Sequence, residues 1–223
     1  LDVDICVIGA GSGGLSVAAG AAQMGASTVL IEKHKMGGDC LNFGCVPSKA
    51  LLAAAHAANT IRGAHKFGVD SPRPQVDFAK VHAHIHDVIA QIAPHDSVER
   101  FTGLGVEVLQ GSASFINPRE VAVDGRVIEA RRFVVATGSS PAIPPIPGLV
   151  DVDFLTNETI FNCVTLPPHL QIIGGGPIGL ELAQAFRRLG SEVTVFEMLH
   201  ALSADDPELT EILATQLRQE GIA

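Results

Sequence analysis

The segment Gly37-Gly38-Asp39-Cys40-Leu41-Asn42-Phe43-Gly44-Cys45-Val46-Pro47-Ser48-Lys49 holds the residues of this chain best suited to chemistry. Cys40 and Cys45 are separated by four residues. Thiols so spaced can close a small disulfide once their Cα atoms approach within about 7 Å. Nothing in the chain suggests secretion, and a disulfide inside a cytosolic enzyme is usually catalytic. Two buried thiols, or half of a metal site, would use the same spacing. C-x4-C also opens plant-type iron–sulfur patterns, but the further cysteine they need is Ser48 here. Thiolates rather than thiols attack disulfides, and a helix N-terminus or a neighbouring cation favours the thiolate. The alanine-rich run Leu51–Ala58 is helix-prone, so Cys45 would lie near its positive end, with Lys49 adding a charge. Cys6 and Cys163 sit in apolar contexts and read as core thiols. On the two cysteines alone, redox chemistry and burial both stay open.

The elements upstream must position that pair. Ile5-Cys6-Val7-Ile8 is a short apolar run expected to be a buried strand, and it leads into Gly9-Ala10-Gly11-Ser12-Gly13-Gly14. A helical pattern runs from Leu15 to Met24, followed by a second strand, Thr28–Ile31, that ends at Glu32. Strand, G-x-G-x-x-G, helix, strand and acid in that order make the dinucleotide fingerprint. Gly9 permits the tight turn, Gly11 lets the backbone approach a pyrophosphate, and Gly14 lets helix and strand pack closely. The helix N-terminus offers unpaired N–H groups to phosphates, and Glu32 can accept hydrogen bonds from a ribose.

The unit recurs. Leu170–Glu197 aligns on Ile5–Glu32 without a gap, so that Gly174, Gly176, Gly179 and Glu197 fall on Gly9, Gly11, Gly14 and Glu32. Two intact units imply two nucleotides. In the second, no lysine or arginine lies between Arg188 and Arg218 to meet a 2′-phosphate, which favours NAD over NADP. The first unit lies directly upstream of the cysteines. FAD is the natural candidate there, because a flavin passes electron pairs between a nicotinamide and a disulfide.

On these residues the chain resembles the flavoprotein disulfide oxidoreductases that use pyridine nucleotides, among them dihydrolipoyl dehydrogenase, glutathione reductase and mercuric reductase. The fold this implies is α/β with two Rossmann-like dinucleotide-binding domains, FAD then NAD, the second incomplete. The stiff linker Pro141–Gly148 divides them, giving an FAD domain with the redox pair at 1–143 and the N-terminal part of an NAD domain at 144–223. The resemblance implies that Cys45 faces the flavin, that Cys40 exchanges with substrate, that Lys49 lies near flavin N5, and that Glu181 stands beside the stacked rings. Its implied FAD contacts are Gly9, Gly11, Ser12, Gly13, Gly14, Glu32, Lys33, Gly38, Asp39, Cys40, Cys45, Lys49, Ala113 and Ala136-Thr137-Gly138-Ser139. Its implied NAD contacts are Gly174, Gly176, Pro177, Ile178, Gly179, Glu181 and Glu197. Pro177 stands where glutathione reductases carry a gating tyrosine. Pro47-Ser48-Lys49 is more similar to dihydrolipoyl dehydrogenase or mercuric reductase. Asp39 departs from the threonine of the best-known members.

The implied activity is electron transfer between NAD(H) and a disulfide or dithiol substrate, small or lipoyl-bearing, most like dihydrolipoyl dehydrogenase. A mercuric-reductase-like or glutathione-reductase-like enzyme is the alternative, and an FAD-binding redox sensor is the reading from another class. Family members are usually homodimers, and the acid/base histidine of their C-terminal dimerisation domain matches none of the nine histidines here. The resemblance thus reaches only the first half of such an enzyme, and the 223-residue polypeptide by itself is expected to have little or no turnover.

Composition fits a protein of one or two globular domains, 47% hydrophobic with a net charge of −9, an acidic balance that argues against nucleic acid or anionic membrane as partner. No apolar run approaches the roughly 20 residues of a membrane span. Leu1-Asp2-Val3-Asp4 lacks a basic leader region, so cytoplasm is the default compartment. Phe78–Ile92 has helical periodicity, with Val81, Ile85, Val88, Ile89 and Ile92 as its apolar stripe. His82, His84 and His86 invite a metal reading, but they lie off that stripe, and a solvated face is the expectation. Val106–Val135 reads as short strands with Asp124-Gly125 as a hairpin turn, and Pro207–Gln219 as one more helical segment.

Overall fold

The computed structural model describes residues 1–223. In chain order the elements are β1 (Asp2–Ile8), α1 (Ser12–Gln23), β2 (Thr28–Glu32), α2 (Gly38–Asn42), α3 (Cys45–Gly63), α4 (Phe78–Ile92) and α5 (Val98–Gly103). Then come β3 (Val106–Gln110), β4 (Ser114–Asn117), β5 (Glu120–Val123), β6 (Arg126–Val135), β7 (His169–Ile173), α6 (Pro177–Leu189), β8 (Glu192–Phe196) and α7 (Pro207–Gln219). They form two compact units, residues 1–46 with 87–158 and residues 47–86 with 159–223. The α/β class expected from the sequence is the class observed.

The first unit is built on a six-stranded sheet in the order β3-β2-β1-β6-β5-β4. β1 pairs in parallel with β2 and with β6, and β2 pairs in parallel with β3. β2 is buried along its whole length, as a strand covered on both faces must be. Its side chains alternate between two cores. Val29 and Ile31 join Val3, Cys6, Val121 and Ile128, while Leu30 joins Val7, Leu15, Ala18 and Phe101. Cys6 is a core thiol, and burial pushes its pKa up to about 11. Cys163, expected in the core, is only half-buried. β5 and β6 are joined at Asp124-Gly125, where both residues take positive φ, +45° and +79°, as a two-residue hairpin of the right twist requires.

The second unit holds a βαβ piece, β7-α6-β8, with β7 and β8 in parallel register and Val193 bridged to Ile222. The helix α4 has the predicted bounds. It buries Phe78 and Ile85, and Phe78 packs on Phe186 of α6 at 5.7 Å between centroids. His84 is exposed as expected, but His82 and His86 are not a solvated face. Their rings lie 4.3 Å apart, both are half-buried, and His86 Nε2 is 3.2 Å from the Phe161 carbonyl. No three His, Cys, Asp or Glu side chains come together as metal ligands. No helix is long and apolar enough to cross a membrane.

Glu220 ties the end of α7 to α6. Arg188 Nε and Nη2 donate to its two carboxylate oxygens at 2.8 and 2.7 Å, and Gln184 and Gln216 add to one of them. The Arg188 guanidinium holds the Glu220 carboxyl below the usual carboxylate range. A group depressed in this way stabilises the fold above its unfolded value, near 4.3. The contribution is lost as pH falls through the lower, folded value. Glu220→Gln is expected to lower stability at pH 7 by about 1–3 kcal/mol, with the deficit shrinking on acidification. Urea unfolding at pH 7 and pH 3 measures this, and equal deficits at both would contradict the pairing.

Candidate functional site

In the first unit the chain leaves β1 through a turn that only glycine can make. Gly9 has φ +104° and donates its N–H to Ile31 O at 2.8 Å. A Cβ on Gly9 would strike the Ala136 carbonyl, and one on Gly14 the Gly9 carbonyl, both well inside 3.0 Å. Ala10 N–H donates to Glu32 Oε2 at 2.6 Å, and His34 N–H to Glu32 Oε1 at 2.7 Å. Each carboxylate oxygen is thus held by one amide and keeps a lone pair for a ribose hydroxyl.

Gly11 caps α1 without any side-chain hydrogen bond, so the first-turn amides of Ser12, Gly13 and Gly14 lack helical acceptors. A Cβ on Gly13 would meet nothing within 4 Å. Open space, orphan amides and the helix dipole together fit a dinucleotide diphosphate. Ala136 N–H donates to Ile8 O at 2.8 Å, which brings exposed Thr137, Gly138 and Ser139 out at the same carboxyl ends of the strands. Lys33 is exposed beside Glu32, and Ala113 is half-buried against the core of β1, β2 and β5.

The cysteine loop hangs from this turn. Gly37, at φ +84°, donates its N–H to Ala10 O at 2.9 Å. Gly38 passes so near the turn that a Cβ on it would lie 2.5 Å from Gly11 Cα. Asn42 Nδ2 donates to Met36 O at 3.1 Å and Gly38 O at 2.8 Å, which braces the approach to α2. Asn42 is a bracing residue that the motif spacing does not single out. Its signal was a short amide side chain among glycines, where it competes for local carbonyls. α2 carries exposed Asp39 and half-buried Cys40. α3 opens at Cys45, which is exposed, with Pro47 in its first turn, where a missing amide removes no helical hydrogen bond. Lys49 lies one turn along the same helix and is exposed.

The second unit repeats the turn. Gly174, at φ +109°, donates to Phe196 O at 2.9 Å, and a Cβ on Gly179 would strike the Gly174 carbonyl. Gly175 N–H donates to Glu197 Oε2 at 2.8 Å and Leu199 N–H to Oε1 at 3.0 Å. These amides, Gly175 foremost, hold the Glu197 carboxyl below its ordinary range. Gly176 caps α6 with no side-chain hydrogen bond, Pro177 occupies the first turn, and Ile178 is exposed. Glu181 is half-buried and accepts from Ser48 Oγ at 3.3 Å, a partner the motif reading did not single out.

A family model described as pyridine nucleotide-disulphide oxidoreductase matches residues 3–223. Mercuric reductase of Streptomyces lividans is 39% identical over 225 residues, covering 98% of this chain and 48% of the relative. Dihydrolipoyl dehydrogenase of Thermus scotoductus is 39% identical over 222 residues, covering 98% and 47%. The Cu(II) complex of the HOCl-induced flavoprotein disulfide reductase RclA from Escherichia coli superposes with a TM-score of 0.83 at 28% identity, covering 98% of this chain and 48% of that one. The chain spans about half the length of these relatives.

Gly38→Ala is expected to push the cysteine loop off the first turn and to weaken FAD binding at least about tenfold, the equivalent of 1.4 kcal/mol. Gly20→Ala, in open space on α1, is the control and should bind as the unaltered protein does. Fluorescence titration with FAD measures both. Equal affinities would show that the loop does not shape the turn.

Proposed function

Because the chain belongs to the pyridine nucleotide-disulphide oxidoreductase family, we propose that it forms part of a flavoenzyme moving two electrons between NAD(H) and a disulfide or dithiol substrate by way of FAD and the Cys40–Cys45 pair. The observation that carries this reading is the suspension of the cysteine loop from the first phosphate turn, through Gly37 N–H to Ala10 O and the contact of Gly38 with Gly11. A nucleotide cradled at that turn is held beside the thiols. Bound FAD supplies a ring that accepts electron pairs from a nicotinamide and yields them to sulfur.

The residues then divide the work. The amides of Ser12, Gly13 and Gly14 hold the diphosphate, Glu32 takes the ribose, and Gly138 with its neighbours borders the strand ends. Cys45, at the first turn of the 19-residue α3, meets the flavin under the helix's positive field. Cys40 exchanges with substrate, and Lys49 adds positive charge one turn on. In the second unit the α6 N-terminus and Glu197 receive NAD. A 2′-phosphate would meet the Glu197 carboxylate, already fixed by two amides, so NADP is disfavoured.

A second reading, reduction of a soft metal ion, draws support from the mercuric reductases among the relatives and the Cu(II) complex among the structural neighbours. The two are separated by assaying the protein at its full natural length with NADH and NADPH against lipoamide, glutathione disulfide and Hg(II). NADH is expected to exceed NADPH in kcat/KM by about tenfold or more, a difference of about 1.4 kcal/mol. Cys40→Ser and Cys45→Ser are each expected to abolish disulfide turnover with FAD content unchanged. Preference for NADPH would overturn the cofactor assignment, and undiminished turnover in both variants would overturn the thiol mechanism.

A further inference from the structure

Asp39 immediately precedes Cys40 and lies in the first turn of α2 with its side chain exposed. Two contacts fix where its charge sits. Oδ1 accepts from Asn157 Nδ2 at 3.4 Å. Oδ2 lies 2.9 Å from the point a Cβ on Gly44 would occupy, and Cys40 Cα is 3.3 Å from that same point. Its main-chain oxygen accepts from Phe43 N–H at 2.8 Å. The carboxylate therefore lies against the backbone joining the two cysteines, over the glycine that adjoins Cys45.

The other charges of this region are accounted for differently. The Lys35 ammonium is drawn to the Phe43 ring, 5.4 Å from its centroid. Lys33 and His34 are exposed at the end of β2. Glu32 is buried with both oxygens held by amides. Lys49 projects from α3 into solvent. Asp39 is the charged side chain placed on the cysteine-to-cysteine backbone itself.

We propose that Asp39 is a specificity-determining residue. By fixing a negative charge on the dithiol loop, it favours substrates that are neutral or cationic at the reacting end, a neutral disulfide or a soft metal ion, over anionic disulfides. This rests on the reading of Cys40 and Cys45 as the redox pair. A single exposed charge acting across several ångströms of water changes encounter rates by about 3- to 10-fold at low salt, and ions within about 10 Å screen it at 0.1 M.

The test uses the reduced protein and three methanethiosulfonate reagents bearing a trimethylammonium group, a sulfonate or no charge, with modification at Cys40 followed by peptide mass. Dividing each charged rate by the neutral one cancels the thiolate fraction and leaves the local field. In 10 mM salt the cationic-to-anionic ratio is expected to fall about 3- to 10-fold in Asp39→Asn, and the difference to vanish in 0.5 M salt. Asn157→Ala keeps the charge while removing its partner, and its ratio should stay within about twofold of the unaltered protein. An unchanged ratio in Asp39→Asn overturns the proposal, as does an equal fall in Asn157→Ala. At the level of turnover, Asp39→Asn should raise the ratio of kcat/KM for glutathione disulfide to kcat/KM for neutral lipoamide, whereas a merely structural role would move both alike and leave that ratio unchanged. Absence of turnover with every disulfide, alongside the expected reagent ratios, would refute the enzymatic reading and leave the field assignment standing.

Discussion

Ala10 sits where three constraints meet. Its N–H is held by the Glu32 carboxylate and its carbonyl by Gly37 N–H, while the residue before it donates into β2. A buried carboxylate is tolerable only when hydrogen-bonded, and an amide bonded to a charged group contributes about 1.5–3 kcal/mol. The pairing of Glu32 with Ala10 therefore fixes the end of β2 against the turn leaving β1. The same turn then fixes the cysteine loop, because Gly37 and Gly38 reach it with no side chain to hold them off. Remove the carboxylate and both the cradle and the thiols lose their common anchor.

The second unit shows what this arrangement is worth by how far it repeats. Gly175 N–H bonds Glu197 as Ala10 N–H bonds Glu32, and Leu199 N–H bonds it as His34 N–H does in the first copy. Even the next contact recurs: Leu202 N–H donates to Gly175 O at 3.0 Å, where Gly37 N–H donates to Ala10 O at 2.9 Å. Gly37 and Leu202 both take positive φ, +84° and +55°. Glycine adopts this region without steric cost, whereas leucine at such an angle is strained by its own Cβ. The strain persists because the turn demands the geometry whichever residue is supplied. Beyond this contact the two copies diverge. The first continues into Gly38 and the cysteines, and the second into Ser203 with no thiol. The cysteine loop is thus an elaboration of a connection that both glycine turns share.

Sequence patterns carried the parts of this fold that depend on local chemistry. The glycine spacing placed both turns, and the Asp124-Gly125 pair placed the hairpin. The helical segments Phe78–Ile92 and Pro207–Gln219 fell on α4 and α7. What was not legible arises from contacts between distant segments. His86 reaches a carbonyl contributed by Phe161, 75 residues away, and no periodicity in α4 could announce it. The bond from Asn157 to Asp39 is likewise a side-chain amide finding a carboxylate 118 residues away. β1 begins earlier than its apolar run because Asp2 and Val3 pair with Glu129 and Ala130 of β6, a gain of backbone bonds that hydropathy does not register.

The two cysteines are close in sequence but stand in opposed local fields. Cys45 opens a helix of 19 residues, whose aligned peptide dipoles place partial positive charge at its first turn. Cys40 lies in a five-residue helix, too short to gather much dipole, and has a carboxylate for its neighbour. The helix field is therefore stronger at Cys45 than at Cys40. That asymmetry is set by where α2 ends and α3 begins, and the Phe43-Gly44 break between them is what produces it. Gly44 is confined by Asp39 and by Cys40 Cα, so a larger residue there would have to displace the carboxylate or lengthen the break. The break thus sets one thiol at the head of a long helix and the other in a short helix beside a carboxylate.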